Sequence, residues 1–178
     1  PIYGLVCTAY QPLRDFEGMT GLLRAPTFDR AERKFDLMQE LGATRLLICS
    51  NVHPESSGDR GRIVADFQEL GERAARRGIS VGYEALAWGR HVYDHRDAWD
   101  IVRRADHPNI GLILDSFHSF ARKVPLESLR DIDPTKISMV QLADAPQLYM
   151  DELSWSRHFR TMPRSEEHTS ELQSRGLI

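Results

Sequence analysis

No stretch of this chain is long and apolar enough to cross a bilayer. Runs such as Leu46-Leu47-Ile48-Cys49 fall far short of the ~20 residues a spanning helix needs. No secretory leader is recognisable either. The chain opens on Pro1-Ile2-Tyr3, without an initiator methionine, and enters an apolar stretch directly, so its true start is expected upstream. Positive charge is not in excess: 23 Lys+Arg stand against 26 Asp+Glu, a formal charge of −3. Nucleic-acid binding therefore has no electrostatic basis. Cysteine is scarce. Cys7 and Cys49 both sit within apolar runs, which suits buried free thiols and a reducing cytoplasm. Low-complexity tracts and linkers are missing before Pro163, so residues 1–163 read as one domain. The hydrophobic share of 41% excludes a disordered chain.

What is there is an alternation. Strands are expected over Tyr3–Ala9, Arg45–Ser50, Ile79–Ala85, Ile110–Leu114 and Ile137–Leu142. Helices are expected over Asp29–Leu41, Ile63–Arg77 and Asp97–Ala105, with a short one at Leu126–Arg130. Gly42 and Gly78 stop the first two helices, and His107-Pro108-Asn109 breaks the third. Strands that are apolar on both faces and separated by helices are parallel and covered by helices. A doubly wound sheet and a (β/α)8 barrel both fit this pattern. Five units in ~160 residues scale to eight in ~250, the usual barrel size. The expected fold is an incomplete (β/α)8 TIM barrel with about five βα units.

Three strands end in polar groups, where a buried strand would otherwise end blandly. The third ends Gly82-Tyr83-Glu84, the fourth runs Leu114-Asp115-Ser116-Phe117-His118, and the fifth carries Val140-Gln141-Leu142. Taken singly, Asp115 suits a helix cap, Glu84 a strand-end ion pair and Gln141 a semi-buried amide. Together, at the C-terminal mouth of a barrel, two carboxylates and an amide oxygen suit a divalent cation. All-oxygen ligation points to Mg²⁺ or Mn²⁺. His118 lies at the same mouth, with the intrinsic range of a general base. His91 and His95 are expected to face solvent, and His53 and His107 to lie in loops. Arg14, Arg157 and Arg160 are candidates for holding an anionic small-molecule substrate.

The runs GYEALAWGRH (82–91), RRADHPN (103–109), GLILDSFH (111–118), VQLADAP (140–146) and LSWSRHFR (153–160) resemble the bacterial 3-dehydroshikimate dehydratases. These belong to the sugar phosphate isomerase/epimerase superfamily of xylose-isomerase-like barrels. The likeness covers residues 1 to 163. It is greatest to the form whose barrel is fused to a C-terminal domain like 4-hydroxyphenylpyruvate dioxygenase. It implies Glu84, Asp115 and Gln141 as metal ligands, His118 as the active-site base or proton shuttle, and Ser156 and Arg160 as substrate contacts; Arg14 is an extension beyond it. It also implies loss of water from 3-dehydroshikimate to give protocatechuate, in quinate and shikimate catabolism. A keto-sugar isomerase or epimerase of the same superfamily is the alternative, and a barrel remnant without catalysis is a third reading.

The resemblance also implies features that this chain does not reach. The family's first strand precedes it, and a fourth ligand, a Glu on a later strand, follows it. The 178-residue chain itself is therefore expected to be inactive, with open sheet edges prone to aggregation. After Pro163 the text changes character. Arg164–Ser174 (RSEEHTSELQS) is the in-frame translation of a common short-read sequencing adapter, and Arg175–Ile178 continues it. Residues 164–178 are thus expected to be non-native, and Glu166, Glu167 and His168 do not count as a ligand cluster. Ser170-Glu171-Leu172-Gln173 could otherwise cap a short polar helix.

Overall fold

The computed structural model describes residues 4–163. The adapter-like segment lies outside them. Five strands form one parallel sheet in the order β1-β2-β3-β4-β5: Tyr10–Leu13, Arg45–Cys49, Ser80–Glu84, Ile110–Asp115 and Ile137–Gln141. Helices α1 (Arg24–Leu41), α2 (Arg60–Ala75) and α3 (His95–Ala105) connect the first four. Beyond β4 come α4 (Ser116–Ala121) and two 3-10 turns, and α5 (Glu152–Phe159) follows β5. This is an incomplete βα barrel of five units, as the alternation implies.

Helices α2 and α3 begin earlier than hydrophobic periodicity alone suggests, because polar caps fix their starts. Asp59 accepts from the backbone N–H of Arg62 ahead of α2, and Asp94 accepts from those of Arg96 and Asp97 ahead of α3. A side-chain oxygen there satisfies donors the helix cannot. Gly42 ends α1 with φ +69°, a conformation that costs little only without a Cβ.

The first strand is a correction. Of the strand expected over Tyr3–Ala9, the described residues 4–9 do not form one; pairing runs through Tyr10–Leu13, with Tyr10 opposite Leu46 and Leu13 opposite Ile48. Since β2 begins at Arg45, residues before Tyr10 extend past the end of the strand that β1 pairs with among the described residues. Leu5 and Val6 are consequently exposed. An apolar run is a strand only where a partner backbone can receive it.

The main core lies between sheet and helices. Leu46, Ile48, Val81, Tyr83, Ile110 and Leu112 face Phe35, Phe67, Leu70 and Ile101. Residues of opposite parity face the concave side, where Leu47, Cys49, Leu86 and Ile113 pack with Trp88 and Met139. The period of two thus divides each strand between a hydrophobic core and the barrel interior. Gly82 sits on the interior face, and a Cβ there would lie 2.5 Å from Ile113 Cδ1 and 2.6 Å from Ser138 Oγ. Its missing side chain lets neighbouring strands fill the same space.

Candidate metal centre

Glu84 is the last residue of β3 and Asp115 the last of β4, and both are buried. Cys49 pairs with Glu84, Glu84 with Ile113, and Asp115 with Gln141. Asp115 and Gln141 therefore stand in one row and Glu84 in the row below. All point to the concave side. Gln141 ends β5 and is half-buried.

Helix α4 starts at Asp115, whose Oδ1 accepts the backbone N–H of Phe117 at 2.8 Å. One turn later comes His118, buried between Trp88 and Phe117 with ring centroids at 5.1 and 5.5 Å. One possible ligand atom from each of Glu84, Asp115 and His118 lies within 4.8 Å of the others. His118 Nε2 is 4.0 Å from Asp115 Oδ2.

Electrostatics define what the cluster can hold. Burial, reinforced by the nearby charge of Asp115, pushes the Glu84 carboxyl up to about 7. Burial pulls His118 down to about 4, so its ring is neutral. Asp115 Oδ2 accepts from Arg160 Nη2 at 2.6 Å. Among the described residues Arg160 is the one cation paired with either carboxylate. Two buried carboxylates with a single guanidinium leave room for a second positive charge, and an oxygen-rich set suits a hard divalent ion. Glu84, Asp115 and the carbonyl oxygen of Gln141 would hold it.

The other expected residues fall into place unevenly. Helix α5, capped by Asp151 on the Ser154 N–H, carries Ser156 half-buried and ends at Arg160. It docks through Trp155, whose ring centroid lies 5.3 Å from that of Phe117, and the Arg160 guanidinium lies over the same Phe117 ring, 5.1 Å from its centroid. Arg160 thus sits at the cluster, whereas Arg157 is exposed. Arg14 is exposed just beyond β1 and makes no direct contact with the two carboxylates, though its charge helps to offset the upward push on the Cys49 thiol. His95 is not solvent-facing. It is buried, with Nδ1 2.9 Å from Ser119 Oγ and Nε2 2.8 Å from Ser128 Oγ, because the cap at Asp94 turns it inward. Both cysteines are free, and Cys49 donates its thiol proton to Glu84 Oε2 at 3.3 Å.

One acid escaped the sequence reading. Glu17 is buried behind the sheet, where it accepts the Asn51 N–H at 2.6 Å and the Tyr83 hydroxyl at 2.8 Å through Oε1. Its Oε2 has no partner. Burial raises its carboxyl from 4.5 to about 7, the Asn51 and Tyr83 bonds opposing the rise. The folded state therefore holds the proton more tightly than the unfolded chain. The associated stability is complete below about pH 4.5 and is lost as pH rises through about 7, a span of on the order of 3 kcal/mol. Glu84 shifts in the same direction. Glu17→Gln is expected to remove part of this decline, giving urea midpoints that fall less than the wild type's between pH 5 and 8. Parallel declines in the two proteins would show that Glu17 ionises normally.

A xylose isomerase-like TIM barrel is the class that this sheet and its strand-end carboxylates define. The family's sequence profile matches residues 2–167, and the chain belongs to that family. Among proteins of known activity, it is similar to the 3-dehydroshikimate dehydratase of Pseudomonas putida, 53% identical over 164 residues, 92% of this chain and 26% of that protein. The 3-dehydroshikimate dehydratase of Pseudomonas aeruginosa is 52% identical over 90% of this chain and 25% of its own length. Among solved structures, a xylose isomerase-like TIM barrel/4-hydroxyphenylpyruvate dioxygenase fusion protein superposes with a TM-score of 0.86 at 54% identity, over 88% of this chain and 25% of that one. The chain spans about a quarter of the length of these relatives. Among the described residues no helix is long and apolar enough to cross a membrane.

Proposed function

We propose that this chain is the ligand-bearing part of a metal-dependent 3-dehydroshikimate dehydratase, a lyase that removes water to give protocatechuate. The observation that carries the reading is the buried pair Glu84 and Asp115 beside His118, in a chain more than half identical to two such dehydratases. Glu84, Asp115 and Gln141 would hold Mg²⁺ or Mn²⁺, and the chemistry such an ion would supply is polarisation of the substrate's keto group, which acidifies the neighbouring C–H. His118, held between the rings of Trp88 and Phe117, meets the reacting part of the substrate. Arg160, with Ser156 one turn earlier on α5, binds the ring carboxylate, and Arg14 adds positive charge from the far side of the mouth. A dioxygenase-like domain in the longer protein is the partner that the fused relative suggests.

The test uses a protein carrying this segment at the full length of the relatives. With 3-dehydroshikimate and Mn²⁺, protocatechuate should accumulate, and chelation should stop it. Interconversion of keto sugars without protocatechuate would favour an isomerase instead. A protein with no affinity for divalent ions would be a barrel remnant.

A further inference from the structure

The ring of His118 is held by a bond that decides which of its nitrogens can act. The backbone N–H of Ala87 donates to His118 Nδ1 at 3.2 Å. A nitrogen that accepts a hydrogen bond carries a lone pair, so the proton of the neutral ring must sit on Nε2. The amide is not free to turn away. Ala87 is buried, Leu86 N–H donates to Ser50 Oγ at 2.9 Å, Gly89 N–H to the Leu86 carbonyl at 2.8 Å, and Arg90 N–H to the Asn51 carbonyl at 2.9 Å. The ring is equally confined. His118 is 4% exposed and flanked by two aromatic rings. Exchanging its nitrogens with its carbons would leave the buried Ala87 N–H facing a C–H.

We propose that His118 works as a fixed N–H donor through Nε2, offered to an oxygen of the bound substrate. It is neither a ligand of the cation nor the group that takes a proton from carbon. Both of those roles need a lone pair on Nε2. In the neutral ring that places a proton on Nδ1, opposite the Ala87 N–H, where two buried donors would point at each other. The nearness of His118 to Glu84 and Asp115 thus suggests a third protein ligand, but the Ala87 bond opposes it. Nε2 instead presents hydrogen toward the space beside Asp115 Oδ2. A neutral imidazole N–H is suited to stabilising negative charge as it develops on oxygen. Which oxygen receives it rests on the dehydratase reading; the protonation pattern does not.

Two experiments separate these parts. In the ¹⁵N-histidine-labelled full-length protein, long-range ¹H–¹⁵N spectra distinguish protonated from lone-pair ring nitrogens, and the His118 signals are those lost in His118→Gln. The expected pattern is a lone-pair Nδ1 and a protonated Nε2, both unchanged when Mg²⁺ is added to saturation. A protonated Nδ1, or an Nε2 that loses its proton on adding Mg²⁺, would overturn the proposal whatever the reaction is. In the full-length protein, glutamine keeps an N–H donor but cannot act as a base. His118→Gln should retain at least ten times the turnover of His118→Ala. Equal losses would sink the donor role, while a wild type without dehydratase turnover would sink only the proposed substrate.

Discussion

Asparagine in place of Asp115 is expected to abolish divalent-cation binding and to lower dehydratase turnover about a thousandfold, or ~4 kcal/mol of transition-state stabilisation. The substitution separates two jobs that one side chain performs. Asp115 Oδ1 caps α4 through the Phe117 N–H, and the asparagine carbonyl can do the same. Helix α4 and His118 should therefore stay in place. Oδ2 supplies the charge that faces Arg160 and raises Glu84, and the amide cannot. Glu84 would then ionise at lower pH, and Arg160 would lose its partner. Calorimetric titration with Mn²⁺ and a protocatechuate assay on the full-length protein check both halves. Wild-type affinity in the variant would remove Asp115 from the ligand set.

Phe67→Ala should give the largest loss of stability, about 3–5 kcal/mol. Phe67 is fully buried on α2, with its ring centroid 4.4 Å from Tyr83 and 5.9 Å from Phe16. Phe16 in turn meets Phe28 edge-on at 5.1 Å. Four rings, from the loop after β1, α1, α2 and β3, thus share one volume. Domains of this kind are stable by only ~5–15 kcal/mol, so the loss consumes a large fraction. Urea unfolding monitored by tryptophan fluorescence would measure it. A loss below ~1 kcal/mol would mean that the cluster collapses around the gap. Because Tyr83 precedes Glu84, weakened metal binding in the same variant is expected as well.

Much of this molecule could be read in advance because its signals are local. The alternation of strands with glycine-stopped helices is spelled out residue by residue, and so is the occurrence of Glu84, Asp115 and Gln141 at successive strand ends. The misreadings have a common physical origin, which is dependence on a distant partner. The apolar run before Tyr10 looks like a strand until the short β2 is placed beside it. Glu17 looks like an ordinary loop acid, since nothing nearby foretells that Asn51 and Tyr83 will enclose it. Only Phe16 before it and Gly18 after it hint at burial; a Cβ on Gly18 would lie 2.5 Å from the Ser57 carbonyl oxygen. His95 appears solvent-facing until Ser119 and Ser128 close on it from later in the chain. Arg160 is legible as a charge at the mouth, but its pairing with Asp115 requires α5 to fold back onto Phe117.

The division of β3 into alternate faces limits how such a centre can change over time. Tyr83 looks into the helical core and Glu84 into the barrel. Loss or gain of a single codon within Ser80–Glu84 would exchange them, driving a carboxylate against Phe67 and a phenol among the ligands. Point replacement of interior residues leaves this frame intact, and paired insertions restore it. Lineages sharing this barrel can therefore diversify their chemistry by exchanging side chains within the interior rows or by lengthening the loops above them, while the spacing inside each strand stays locked.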